Sequence, residues 1–289
     1  MSLRAVRVVA AGAVVLAAAI VSSFAFDWPA DSGRYRFSFG SPRDGFKRGL
    51  EFGSSGGIVR AADDGELTFA ASGRSPPGGY PLIGGSMVVV SHASQISTIY
   101  AGLEPGSVSS YLRNVRKGDI IGRIEPVGGL GRGAAFYAYD AKERRYINPL
   151  ILMPSLSDDK PPVIRSAILV SDGKETALAA SKVVKQGSYL LLVDAFDPSP
   201  TGEQAAPYEV RVMLDGSERD RVLYDAAWAE GGRSTLFSGA RLGEHEYLAS
   251  DGRMRFGPYV LARGRVVISV VVGDFAGNKR EQTYSIIVQ

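Results

Sequence analysis

Glycine constrains this chain more than any other residue. Thirty-five glycines are spread over 289 residues, and they separate short runs rich in β-branched and aromatic side chains. Such runs, four to eight residues long and bounded by turn-formers, read as strands. Residues 34–39 alternate polar and apolar, the mark of a half-buried strand. Residues 57–61, 66–71, 87–92, 97–101, 120–125 and 134–139 are further strand candidates, with Asp64-Gly65 as a hairpin turn between two of them. Helical periodicity is scarce; residues 107–114 and 224–230 are the two short helix candidates. The expected class is mainly β.

The first 25 residues have a separate logic. Arg4 and Arg7 are their only charges, an apolar run follows over residues 8–21, and Ser22-Ser23-Phe24-Ala25 closes it. This pattern predicts a signal peptide cut after Ala25, or a membrane anchor if it is retained. Either way the remainder is expected outside the cytoplasm, periplasmic or in the cell envelope. There is no cysteine, so neither a disulfide nor a lipidated cysteine is available. Of 33 basic side chains, two lie in the leader, which leaves 31 against 30 acidic ones. That balance argues against nucleic acid as a partner. Lys142-Glu143-Arg144-Arg145 reads as a solvated hairpin face.

Residues 155–162, Ser-Leu-Ser-Asp-Asp-Lys-Pro-Pro, have the composition of a stiff linker. Beyond it, strand texture resumes at residues 163–170, 188–196, 208–215, 265–273 and 282–288. The β-branched run 266–272 predicts a strand buried on both faces. The expected organisation is a leader over 1–25, a first domain over 26–154, a linker over 155–162 and an Ig-like or fibronectin-like β-sandwich over 163–289.

Landmarks of the first domain come in a telling order. Phe39-Gly40 ends a strand, and Lys47-Arg48-Gly49-Leu50-Glu51 follows in the next loop. Ala61-Ala62-Asp63-Asp64-Gly65 makes a turn. Val88-Val89-Val90-Ser91-His92 precedes Tyr100-Ala101-Gly102-Leu103. Then come Val115-Arg116-Lys117-Gly118-Asp119-Ile120-Ile121-Gly122, Ala135-Phe136-Tyr137-Ala138-Tyr139 and Asn148-Pro149-Leu150. In order and spacing this resembles the lysostaphin-type (LytM-like) zinc metalloendopeptidase family, over roughly residues 34–150. The resemblance implies a lysostaphin-like antiparallel β-sheet domain of the duplicated hybrid type, with an open groove.

It also implies where zinc would be held, and there the chain departs from the pattern. The family's ligand positions, His, Asp and His, become Lys47, Glu51 and Tyr137. The two assisting histidines become Gly102 and Ala135. An ammonium repels a divalent ion, a phenol is a rare ligand, and one carboxylate does not hold zinc against water. Glycine and alanine exchange no protons. No zinc site and no catalytic residue is expected, and no cofactor; zinc enters only if the metal site is atypical.

Other constellations are weaker. His92 reads as a hydrogen-bonded strand residue and His245 as a loop residue. Asp194, Asp197 and Asp274 match no calcium-loop spacing and read as turn-formers. Residues 128–133, Gly-Gly-Leu-Gly-Arg-Gly, lack the ending of a phosphate-binding loop. Tyr100, Tyr137 and Tyr139 are the candidate groove residues. The expected function is a non-catalytic, peptidase-like envelope protein that binds peptidoglycan or another envelope protein, a scaffold or regulator of cell-wall hydrolases. The alternatives are an active cell-wall metalloendopeptidase with an atypical metal site, and a purely structural or adhesive β-protein. A membrane partner is expected only through an uncleaved N-terminal segment.

Overall fold

The computed structural model describes residues 26–30, 35–42, 45–53, 56–71, 85–108, 113–125, 133–198, 204–230, 233–237 and 241–289. The leader and most of the Gly128–Gly133 loop lie outside these. Among the described residues no helix is long and apolar enough to cross a membrane.

The first half is built on one large antiparallel sheet. Its central strand, Ala134–Asp140, pairs with Ile96–Leu103 along one edge. On its other edge it pairs first with Leu50–Phe52 and then with Arg145–Ile147. Beyond Ile96–Leu103 the order continues through Ser86–Ser91 and Gly65–Ala71 to Asn114–Val115. The strands near Ala134–Asp140 are buried on both faces, so each face needs its own cover. Leu50, Val88, Val90, Tyr100 and Phe136 point to one side, where a second core contains Phe26, Val59, Ile121 and Ile124. The small sheet of Ile58–Arg60 and Ile120–Arg123 lies over this core. Residues 26–28 are strapped beside it: the Phe26 N–H donates to Leu152 O (3.0 Å) and Trp28 Nε1 to Pro154 O (3.0 Å).

The predicted turn at Asp64-Gly65 is a corner between sheets and not a hairpin. Ile58–Arg60 pairs with Ile120–Arg123, whereas Gly65–Ala71 pairs with Ser86–Ser91. Side chains hold this corner. Asp64 Oδ1 accepts from the Lys117 N–H at 2.7 Å, and Asp64 O lies 2.7 Å from His92 Nδ1. His92 Nε2 reaches Thr98 Oγ1 at 2.8 Å, so this buried imidazole is a bridge between strand and corner.

The second half is a sandwich of two sheets. One contains Val163–Ser171, Lys174–Ala177, Gly187–Pro198 and Met254–Leu261. The other is ordered Val183–Val184, Lys279–Val288, Gly264–Gly273, Glu209–Leu214 and Ser217–Leu223. They pack through Leu169, Leu191, Val193, Val212, Val270 and Ile286. The strand Gly264–Gly273 is not buried evenly on both faces. It alternates buried and half-buried from Val266 to Val270, and only its end is buried throughout.

One expectation fails at the join between the halves. The helix expected at residues 224–230 is the strand Ala226–Glu230. Its Ala-Ala-Trp-Ala sequence favours a helix locally, but Ala226 and Ala227 pair with Ile147 and Tyr146 at the open edge of the first sheet. A free sheet edge offers a row of unpaired backbone groups, and satisfying them outweighs a propensity worth a few tenths of a kcal/mol per residue. Arg233–Phe237 and Arg241–Gly243 extend the sheet further, so eleven strands join two halves of the chain. Of the helix expected at residues 107–114, residues 109–112 lie outside the described residues, and Asn114 lies in a strand.

Candidate functional site

The face of the first sheet that would carry the metal is defined by register. Glu51 pairs with Ala135, Ala101 with Ala135, and Ile99 with Tyr137. Glu51, Ala135 and Tyr137 therefore share one face, as period-two alternation requires. Lys47 precedes them in the loop, where its Nζ sits 2.8 Å from Glu51 Oε1. The side chains of this ion pair are only 12% and 13% exposed. The Lys47 ammonium also lies 5.4 Å from the Phe37 ring centroid.

Tyr137 is buried and makes an edge contact with Tyr146 at 6.0 Å. Burial drives its phenol well above the usual tyrosine pKa, and the Glu51 charge pushes the same way. It stays a neutral phenol at any physiological pH, a poor donor to a metal. The trio thus offers one carboxylate already neutralised by an ammonium. It does not fit zinc.

Gly102 differs from an ordinary loss of a side chain. Its φ is +71°, and a Cβ there would lie 2.2 Å from Gly133 O. Gly49 is as tightly placed, with a Cβ meeting Phe136 O at 2.2 Å. These backbones approach closely because no side chain separates them.

Among the described residues the expected groove face is not open. The face carrying Ala135 and Tyr137 is covered by residues from the second half of the chain. Phe46 stacks on Tyr224 (6.2 Å) and meets Tyr247 edge-on (6.0 Å), and Phe39 meets Phe46 at 5.4 Å. Leu236, Tyr247, Tyr224 and Ala227 join Met87, Val89, Ile99 and Tyr137 in one core that is continuous with the sandwich. Arg48 Nε donates to Ser234 Oγ at 2.9 Å, and the Arg145 guanidinium lies 5.7 Å over Trp228. Gly40, with φ +85°, allows this closure; a Cβ there would come within 2.4 Å of the Tyr224 ring.

Tyr100 does not line this face. It pairs with Phe136 on the opposite side of the sheet and is 1% exposed. Its hydroxyl accepts from the Ala62 N–H (2.8 Å), and Thr98 Oγ1 donates to it (3.1 Å). Burial is the main reason its pKa rises to about 12. Tyr139 is half-buried against Tyr146 at 5.2 Å. Tyr137 and Tyr139 share a face but fill space under the cover.

The peptidase family M23 model matches residues 45–149. That stretch is an M23-type domain. Residues 161–289 match a second, separate family model. No curated relative matches the chain. Among solved structures, the chain is similar to one titled as the SpoIIQ–SpoIIIAH pore-forming complex, at 19% identity over 44% of this chain and 90% of that one, with a TM-score of 0.35. It is also similar to a zinc-containing peptidase from Vibrio cholerae, at 20% identity over 46% of this chain and 41% of that one, TM-score 0.34. Lysostaphin aligns at 13% identity over 86% of this chain and 95% of its own, TM-score 0.33. None of these likenesses is near enough to carry a function across.

Within the M23-type domain the Asn-Pro-Leu landmark has a mechanical task. Asn148 Nδ2 donates to Tyr224 O and the Asn148 N–H to Asp225 O, both at 2.8 Å, while its Oδ1 caps the 3₁₀ turn Pro149–Ile151. The motif that closes the domain thereby anchors the segment that covers it. Tyr224, Leu236 and Tyr247 were not singled out by sequence; their only signal is an aromatic and apolar residue content unusual for a long surface insertion.

The ion pair yields a direct expectation. Lys47→Ala leaves Glu51 half-buried without its partner, which costs about 1–3 kcal/mol. A thermal melt identical to wild type would remove any structural role from the pair.

Proposed function

We propose that this chain is a non-catalytic M23-type protein of the cell envelope, exported by its N-terminal segment, that binds and positions a partner and cleaves nothing. One observation carries the reading. An ion pair at 2.8 Å stands at the positions where the family holds its metal, beneath a covered face. Without a metal, no water is activated and no carbonyl is polarised there. Among the described residues the covered face leaves no channel for a peptide strand, so on this reading the partner meets the outer surface of the two-part body. A scaffold or regulator of cell-wall hydrolases fits that arrangement.

Purified protein dialysed against zinc with calcium in large excess, which occupies any all-carboxylate site, is expected to retain less than a tenth of an equivalent of zinc and to release no fragments from cell walls. Stoichiometric zinc together with cut muropeptides would overturn the proposal in favour of an atypical enzyme. Sedimentation with insoluble peptidoglycan then sorts the partner: retention points to the wall polymer itself, and capture of a specific hydrolase in its absence points to a protein. Neither result would leave a purely structural β-protein.

A further inference from the structure

A second place in the molecule concentrates charge without compensating it. Asp158 lies in the connector between the halves, Asp197 near the end of the strand Gly187–Pro198, and Asp274 directly after Gly264–Gly273. One carboxylate oxygen from each lies within 4.8 Å of the other two. Asp197 is 8% exposed and Asp274 4%. Asp274 is held in place: its Oδ1 accepts from the Asn278 N–H (2.8 Å) and its Oδ2 from Asn278 Nδ2 (2.9 Å). Asn278 Nδ2 also donates to Asp158 O at 3.0 Å, which brings the connector to the turn. Asp197 differs: its Oδ1 is buried and has no hydrogen-bond partner. No lysine or arginine among the described residues forms an ion pair with any of the three.

An unpartnered buried carboxylate oxygen beside two further carboxylates is costly unless something positive is placed there. We propose that Asp158, Asp197 and Asp274 bind a divalent cation, and that the cation is calcium. The donors are all oxygen, with no imidazole or thiolate among them, which selects a hard ion. The three oxygens lie within 4.8 Å of one another, close enough to share one ion. Calcium accepts several carboxylates in a flexible geometry, whereas magnesium sheds its water reluctantly and seldom sits in an all-protein cage, so buried carboxylates favour calcium. Burial, together with the charges of Asp274 and Asp158, lifts the Asp197 carboxyl to about 7, which marks the same deficit of positive charge. Asp194, considered with this group on sequence alone, is instead engaged by Arg165 at 3.4 Å. Asp158 completes the trio.

The position of the ion gives it a task. Asp197 belongs to one sheet of the sandwich, Asp274 follows a strand of the other, and Asp158 precedes both in the connector. Bound calcium ties the exit of the M23-type domain to both sheets at once. This holds whether or not the proposed function does, because neither zinc chemistry nor a partner enters it.

The test uses the full chain, freed of metal with EDTA. Titration calorimetry with calcium chloride is expected to show one site, filled at least tenfold more tightly than with magnesium chloride. The melting temperature should rise by several degrees in millimolar calcium. Asp197→Asn should fold, melt in EDTA no lower than wild type, and lose the calcium-dependent rise. If that variant fails to fold, Asp158→Asn, at the half-exposed position, should weaken calcium binding at least tenfold. The proposal falls if wild type gives no heat and no shift. It falls equally if either folded variant responds to calcium as wild type does.

Discussion

Gly102→His, which returns one of the family's assisting histidines, disrupts the N-terminal sheet and arms nothing. The φ of +71° is one that a side-chain-bearing residue adopts at a cost of about 1–2 kcal/mol. A Cβ would also sit 2.2 Å from Gly133 O, and that oxygen cannot swing aside as a side chain would. Gly133 is itself pressed against Phe52 O, which a Cβ on it would approach to 2.1 Å. Moving one backbone therefore moves three. Overpacking of this kind adds about 1–3 kcal/mol or more, so the expected total is roughly 3–5 kcal/mol. Gly102→Ala isolates the backbone part and should lose most of that amount. Chemical denaturation of both variants is the measurement, and an unchanged midpoint for Gly102→Ala would refute the argument. Restoring Lys47→His, Glu51→Asp and Tyr137→His alongside it meets a second obstacle. Tyr137 lies buried under the cover contributed by the second half, which leaves a substrate strand no room beside that position of the rebuilt trio.

The second large effect concerns how the chain divides. Cutting at residues 155–162 is expected to fail to release two stable domains. Residues 26–154 alone would expose Met87, Val89, Ile99, Ala101 and Tyr137 together with the sheet edge at Tyr146 and Ile147. An apolar face beside an unpaired edge is a site for aggregation. The fragment should be insoluble, or bind a hydrophobic dye, while the whole chain unfolds in one transition. Tyr247→Ala tests the same join by a single atom group. The side chain is 1% exposed and contacts Phe46 from the other half. Its loss should cost about 3–5 kcal/mol, lowering the melting temperature by roughly 10 °C for a body of this size. A soluble, cooperatively folded 26–154 fragment would show that the cover is an accessory.

Much of this is legible in the amino-acid order. The mainly β class followed from glycine spacing, from short β-branched and aromatic runs such as Ser86–Ser91, and from alternation in stretches such as Tyr35–Phe37, because these are properties of each strand alone. The order of landmarks from Phe39-Gly40 to Asn148-Pro149-Leu150 marked the M23-type domain that spans residues 45–149. The Lys47–Glu51 pairing was accessible from the opposite charges of the two residues at positions the family devotes to one metal.

What went astray involved partners distant in sequence. Tyr100 was grouped with Tyr137 and Tyr139 by proximity to the old cleft, but the bulge-free pairing with Phe136 turns it to the other face. Residues 224–230 looked helical because alanine carries that preference locally; the edge strand Arg145–Ile147, some eighty positions earlier, converts them to a strand. Asp194 lost its place in the acidic cluster to Asp158, since a connector can fold back anywhere its length allows. Amino-acid order thus dictated strand character and the chemistry of each position, through sterics and charge that act over a few residues. Which faces meet, which groove is filled and which carboxylates converge were settled by the packed structure, because burial is shared among residues that only the fold brings together.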